Sequence, residues 1–258
     1  MRDKQAILAV VGVLVVVIGF VFLANVLTNR TDATPADTPT TAATSAPTTD
    51  STASATPTVT PSVLAGCSTP PANQTAVKKP TRQPDVEAAK GKTYVATVKT
   101  TCGDISIDLN GTAAPAAVAS WILLAKDGYW APSPCHRLTT TGIFVLQCGD
   151  PTGTGSGPGP GYHFGIENVP ANDVYPRGTL AMARKRGDPN SNGDQFFIVY
   201  KDTTLPKSGD GNGYTSFGTV TQGMDIVDKI AAAGVNPSDK TSPLAPIDIL
   251  SVDVQPKA

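Results

Sequence analysis

Asp104-Ile105-Ser106-Ile107-Asp108-Leu109 sets polar and apolar side chains in strict alternation, the period-two pattern of a strand with one face buried and the other in water. Ile247-Asp248-Ile249 repeats it and continues into Val252 and Val254. Outward from these, Tyr94-Val95-Ala96-Thr97-Val98, Phe196-Phe197-Ile198-Val199-Tyr200 and Thr215-Ser216-Phe217-Gly218-Thr219-Val220 are further β-prone runs, most of them bounded by turn residues. Two stretches switch to helical spacing. Pro115 to Asp127 places Pro in a first turn, carries apolar Val118, Trp121, Ile122 and Ala125, and stops at Gly128. Met224 to Ala233 puts Val227 and Ile230 on one face, with Gly234 beyond. About eight short strands and two helices predict a mainly β domain over residues 91–258, an eight-stranded closed antiparallel barrel capped by two α-helices.

Ahead of that domain the texture is different. Residues 6–27 carry no charge and are dominated by Val, Leu, Ile, Ala and Phe; at 1.5 Å per residue they reach about 33 Å, enough for a hydrocarbon layer of roughly 30 Å. The run is long for the apolar core of a cleaved signal peptide, and Leu23-Ala24-Asn25 is a poor cleavage site, so an uncleaved transmembrane helix is expected. Arg2 and Lys4 precede it, which places residues 1–5 in the cytoplasm and the rest of the chain outside the cell membrane. Residues 28–62 are mostly Thr, Pro, Ser and Ala and cannot bury enough surface to offset their ordering entropy; they read as a disordered stalk. Residues 63–90 form a pre-domain segment. Within it Leu64-Ala65-Gly66-Cys67 looks like a lipoprotein cleavage box, but it lies beyond the stalk rather than directly after the apolar run, and reads as a chance match.

Lys+Arg 20 against Asp+Glu 21 leaves a net charge of -1, which argues against a nucleic-acid partner. Two histidines leave little room for a His-rich metal site. Gly-x-Ser-x-Gly, His-Glu-x-x-His and Cys-x-x-Cys are all missing. The run from Gly153 to Gly161 lacks the Gly-Lys-Ser/Thr of a phosphate loop, and its prolines remove N–H donors; it reads as a surface loop.

Two segments remain. One is His136-Arg137-Leu138 leading to Phe144-Val145-Leu146-Gln147-Cys148-Gly149-Asp150. The other is Leu180-Ala181-Met182-Ala183-Arg184 leading to Asn192-Gly193-Asp194-Gln195-Phe196-Phe197-Ile198. With Phe217-Gly218 and Gly223-Met224-Asp225-Ile226-Val227 behind them, their order and spacing resemble the cyclophilin-type peptidyl-prolyl cis-trans isomerases from about Tyr94 to Val254. The runs 136–141 and 146–153 are most similar to the membrane-anchored, extracytoplasmic cyclophilins of bacteria.

The resemblance implies a site. Arg137 matches the catalytic arginine and Gln147 the polar residue beside it. Phe144, Val145, Phe197 and Leu205 match the walls of the proline pocket, and Ala183, Arg184 and Gln195 the groove for the substrate backbone. Tyr214 stands where many members have His and keeps an aromatic wall. Thr204 stands where many have Trp, which removes a contact to cyclosporin, so weak binding of that drug is expected. Each residue also has a plainer reading: Arg137 as an ordinary surface charge, the apolar four as barrel core, His136 as structural. Arg177, Arg184, Lys185 and Arg186 read as a solvated basic loop, or as a preference for acidic substrate flanks. If the chain between Leu138 and Phe144 turns as in the family, Cys135 lies near Cys148 and Cys67 is left for Cys102; free buried cysteines are the alternative.

The chemistry suits these residue types. Amide resonance sets a rotation barrier near 18–20 kcal/mol, and uncatalysed X-Pro exchange takes tens of seconds. Rotation breaks that resonance and makes the proline nitrogen basic, so a fixed guanidinium stabilises the twisted amide more than either planar form. No cofactor or metal is needed. The partners expected are proline-containing segments of polypeptides, whose folding outside the cell a monomeric enzyme would assist. A catalytically weak proline-binding module on the cell surface is the alternative.

Overall fold

The structure, a computed structural model, describes residues 62–258. A short helix α1 (Val86–Ala89) leads into a long hairpin of β1 (Thr93–Thr100) and β2 (Gly103–Asn110), followed by helix α2 (Pro115–Lys126). The middle of the chain carries β3 (Ser133–Pro134), β4 (Arg137–Leu138), β5 (Val145–Cys148), β6 (Val174–Tyr175), β7 (Thr179–Met182), β8 (Phe196–Val199) and β9 (Thr203–Thr204). It closes with β10 (Ser216–Gln222), α3 (Met224–Ala233) and β11 (Asp248–Pro256). Nine strands form one antiparallel sheet in the order β3-β11-β1-β2-β10-β7-β8-β5-β4, while β6 and β9 pair separately.

This sheet curls into a half-barrel and is not the closed eight-stranded barrel expected from the pattern. Its edge strands β3 and β4 are two residues each and follow one another in the chain, with only Cys135 and His136 between them. Pro132 and Pro134 have no N–H to offer, so no ladder runs across the seam. Two bonds tie this stretch to the chain leading into β11: the Cys135 N–H donates to the Ile247 carbonyl (2.9 Å), next to the β3–β11 pairing, and the Leu138 N–H to the Thr241 carbonyl (2.8 Å). There are also three helices among the described residues rather than two. The third, α1, is started by Asp85, whose carboxylate accepts from the Ala88 N–H at 3.0 Å.

Along β1 and β2 every second side chain is buried, as the alternation requires: Tyr94, Ala96 and Val98 face Ile105, Ile107 and Leu109 across the inner surface. In β5, β7 and β8 both faces are covered. Leu146, Leu180, Met182, Phe196 and Ile198 point into the main core, against α2. There Trp121 sits within 4.8–5.5 Å, centroid to centroid, of Phe196, Trp130 and Phe217. Their neighbours Val145, Ala181, Phe197 and Val199 point the other way and form a second apolar cluster with Tyr175 and Leu205. The first N–H groups of α2 are capped from a distance, Ala116 and Ala117 both donating to the Glu167 carboxylate at 3.0 Å.

All four cysteines are in disulfides, Cys67–Cys102 and Cys135–Cys148, so Cys67 offers no thiol for lipid attachment. The first bond ties the pre-domain segment to the β1–β2 turn. The span at residues 6–27 and the stalk at 28–62, apart from Ser62, lie outside the described residues. Among the described residues no helix is long and apolar enough to cross a membrane.

Candidate active site

Strand register assembles the site. Arg137 of β4 stands opposite Gln147 of β5, Gln147 opposite Phe197 of β8, and Phe197 opposite Ala181 of β7. Side chains in such a row share one face of the sheet, and this is the face of the second apolar cluster. Val145, Phe197 and Leu205 are buried in that cluster, with Ile143, Ala183 and Tyr214 packed against it. The Phe197 and Tyr214 rings meet edge to face at 5.6 Å. Phe144 is placed apart, its ring against Tyr200 (6.0 Å) and under the Lys201 ammonium (4.6 Å), and Ile143 stands at the cluster instead.

Arg137 is half-buried and has no carboxylate partner among the described residues. One of its N–H groups donates to Gln147 Oε1 (3.1 Å). Gln147 Nε2 donates to Gln195 Oε1 (3.0 Å), and Gln195 Nε2 to the Gly155 carbonyl (3.1 Å). These three bonds leave the other guanidinium N–H groups available at the edge of an apolar surface, where a charge is poorly screened.

Gly155 belongs to the glycine-rich run read from the sequence as a surface loop. It does lie at the surface, with Thr154, Ser156 and Pro158 exposed, and it also folds around an anion: Asp150 accepts from the Thr152 N–H and hydroxyl, the Thr154 hydroxyl and the Gly157 N–H, all at 2.8–3.0 Å. Burial opposes ionisation of Asp150, but these donors outweigh it and hold the carboxyl below its ordinary pKa. Gly157 must be glycine, because a Cβ there would stand 2.2 Å from Asp150 Oδ1. At Gly155, with φ +71°, a Cβ would press on the His136 ring at 3.1 Å. His136 is half-buried beside Arg137, its two ring nitrogens out of contact with water and without a hydrogen-bond partner; burial lowers its pKa and keeps it neutral at pH 7.

A cleft of about 360 Å³ runs from Gln147 and Gln195 along Gly155–Gly159 to Ala183, Lys185 and His163. Arg184 does not extend into solvent from its wall. Its side chain is 0% exposed and forms a fork with Asp210 (two bonds of 2.9 Å), with further donation to the Gly213 and Asn212 carbonyls. Those hydrogen bonds push the Asp210 carboxyl down to about 2. The guanidinium also lies 5.5 Å from the centre of the Tyr214 ring, so Arg184 fixes the 208–213 loop that carries Tyr214. Arg177 is taken by Asp228, while Lys185 and Arg186 are exposed. Sequence reading therefore overlooked Asp150, Gly155, Ile143 and Asp210. Only Asp150, inside the Gln-Cys-Gly-Asp run, carried any local signal.

Residues 95–254, more than half of the chain, match the family described as cyclophilin type peptidyl-prolyl cis-trans isomerase/CLD. A protein of Mycobacterium tuberculosis named probable peptidyl-prolyl cis-trans isomerase B is 41% identical over 186 residues, covering 66% of this chain and 58% of that protein. Its Mycobacterium leprae namesake is 40% identical over 184 residues, covering 66% and 59%. The alignment thus spans less than two thirds of these relatives. Among solved structures, a Cryptosporidium parvum cyclophilin type peptidyl-prolyl cis-trans isomerase crystallised with the dipeptide Ala-Pro superposes with a TM-score of 0.53 at 30% identity, covering 62% of this chain and 98% of that one. The chain belongs to the cyclophilin-type peptidyl-prolyl cis-trans isomerase family.

Proposed function

We propose that this protein catalyses cis-trans isomerisation of X-Pro bonds in polypeptides outside the cell membrane. The observation that carries the reading is the cross-strand row, which puts a guanidinium without a carboxylate partner among the described residues beside an apolar cluster. The cluster of Val145, Phe197 and Leu205, with Ile143 packed against it, grips the pyrrolidine ring. Arg137 donates to the proline nitrogen as twisting frees its lone pair, and Gln147 keeps the guanidinium aimed. No hydrogen bond among the described residues engages the backbone N–H or carbonyl of Arg184, so both are available to a substrate strand alongside Ala183 and Gln195. In the anchored arrangement, residues 6–27 span the membrane, 28–62 form the stalk, 63–90 the pre-domain segment and 91–258 the catalytic domain. Two disulfides support an oxidising compartment.

The test is X-Pro exchange in a short peptide, followed by NMR with the full chain in a mild detergent, beside Arg137→Ala. Acceleration that falls by about two orders of magnitude in the variant is the expected result. A folded wild-type chain that shifts peptide signals without accelerating exchange would replace the enzyme with a proline-binding module.

A further inference from the structure

Residues 62–90 lie before the family match and contribute no side chain to the row, yet they reach the loop that supports it. The Cys67–Cys102 disulfide fixes one end of this segment to the β1–β2 turn, where the Ser68 N–H donates to the Thr101 carbonyl at 2.7 Å. Farther along, the Gln74 N–H donates to the Pro151 carbonyl (3.2 Å) and Asn73 Nδ2 to the Thr152 carbonyl (3.3 Å). Asn73 also closes over Gly153, where a Cβ would stand 2.6 Å from its Nδ2. Gln74 Nε2 donates to both the Tyr129 and Pro132 carbonyls at 2.9 Å, gripping the turn that leads into β3 and β4.

These contacts hold the start of the loop that closes on Asp150. From the same loop, the Gly155 carbonyl orients Gln195, Gln195 orients Gln147, and Gln147 orients Arg137. A continuous set of hydrogen bonds and one short loop therefore joins the pre-domain segment to the guanidinium.

We propose that Asn73 and Gln74 are positioning residues for isomerisation, acting through the 150–157 loop on Gln195 and so on Arg137. The proposal rests on the isomerase reading above. Ground-state substrate is held by the apolar cluster and the groove, whereas Arg137 must meet a nitrogen lone pair that exists only in the twisted amide. An aiming error at the guanidinium therefore slows turnover and leaves substrate affinity nearly unchanged.

The experiment compares Asn73→Ala, Gln74→Ala and the pair in the full chain, in wild-type and Gln195→Ala backgrounds. Arg82→Ala serves as control, since it removes a different contact of the same segment, an exposed bond to Asp127. Expected are kcat lower by about three- to tenfold with KM within about twofold, and no further loss when Gln195 is already Ala. The side-chain amide NMR signals of Gln195 and Gln147 should move, while backbone signals of β1 and β11 stay in place. Should an alanine variant fail to fold, Asn73→Asp keeps the shape, removes the donor and carries the same expectation. Unchanged kcat beside an active wild type, or losses that simply multiply with Gln195→Ala, would overturn the proposal and leave the isomerase intact. A wild type that does not accelerate exchange would remove both readings.

Discussion

Arg137 is set apart by what it lacks. Among the described residues Arg82, Arg177 and Arg184 meet the carboxylates of Asp127, Asp228 and Asp210, and Arg186 is exposed to solvent, whereas the half-buried Arg137 meets only the neutral Gln147 amide. Its charge therefore stays available to a substrate. A lysine would keep that charge but lose the planar fork that bonds Gln147 and the reacting nitrogen together. Arg137→Lys is expected to lower kcat/KM by about ten- to hundredfold in the exchange assay; near-wild-type activity would show that charge alone suffices. Thr204, at the exposed end of β9, gives the second expectation at this scale. With a short hydroxyl side chain there, cyclosporin should inhibit only weakly, and nanomolar inhibition in the same assay would refute it.

The elements are stapled where hydrogen-bond ladders stop. Cys135–Cys148 brackets the row, with Cys135 two residues before Arg137 and Cys148 next to Gln147; it spans 13 residues. Cys67–Cys102 spans 35 and ties the pre-domain segment down. Loop-closure entropy gives about 3 kcal/mol for the shorter and about 4 kcal/mol for the longer. Replacing each pair by serine should lower the melting temperature, more for Cys67–Cys102, with exchange activity measured well below melting. The shorter bridge should affect activity beyond its effect on stability, because it constrains both strands that carry the Arg137–Gln147 bond. Melting curves insensitive to reductant would contradict the assignment of either bridge to stability.

At the scale of the whole molecule, buried carboxylates make stability depend on pH, Asp248 among them. Asp248, in β11 opposite Pro134 of β3, is almost fully buried, and burial raises its pKa to about 6. In the unfolded chain it titrates near 3.9. A folded pKa above the unfolded one means the neutral carboxyl favours folding: its contribution is fully present below about pH 4 and is lost as pH rises through about 6. By pH 7 the loss is on the order of 3 kcal/mol. Asp248→Asn is expected to raise the melting temperature at pH 7 and leave it little changed at pH 4. Equal effects at the two pH values would assign the gain to packing instead of ionisation.

Much of this architecture is legible along the chain. Alternation in Asp104–Leu109 marks β2, and the Pro115 start with its Gly128 stop marks α2 to within a residue. Met224–Ala233 is α3 as read. The site segments are legible too, because Arg137, Gln147, Phe197 and Gln195 stand in runs with a recognisable order. Strands of two residues such as β3 and β4 carry no period to detect, and an open seam cannot be told from a closed one by counting strands. Nor do composition or spacing show that Arg184 is buried on Asp210, that Glu167 caps a helix some fifty residues earlier, or that a glycine-rich loop wraps Asp150. Local periodicity reports how a segment divides its side chains between core and water, and so the sequence alone determined the longer elements, while the ordered motifs around Arg137 and Gln195 carried the resemblance to the family. Register, ion-pair choice and loop closure depend on groups that only the folded chain brings within hydrogen-bond reach, and so the tertiary structure decided which charges are spent on the protein and which remains for a substrate.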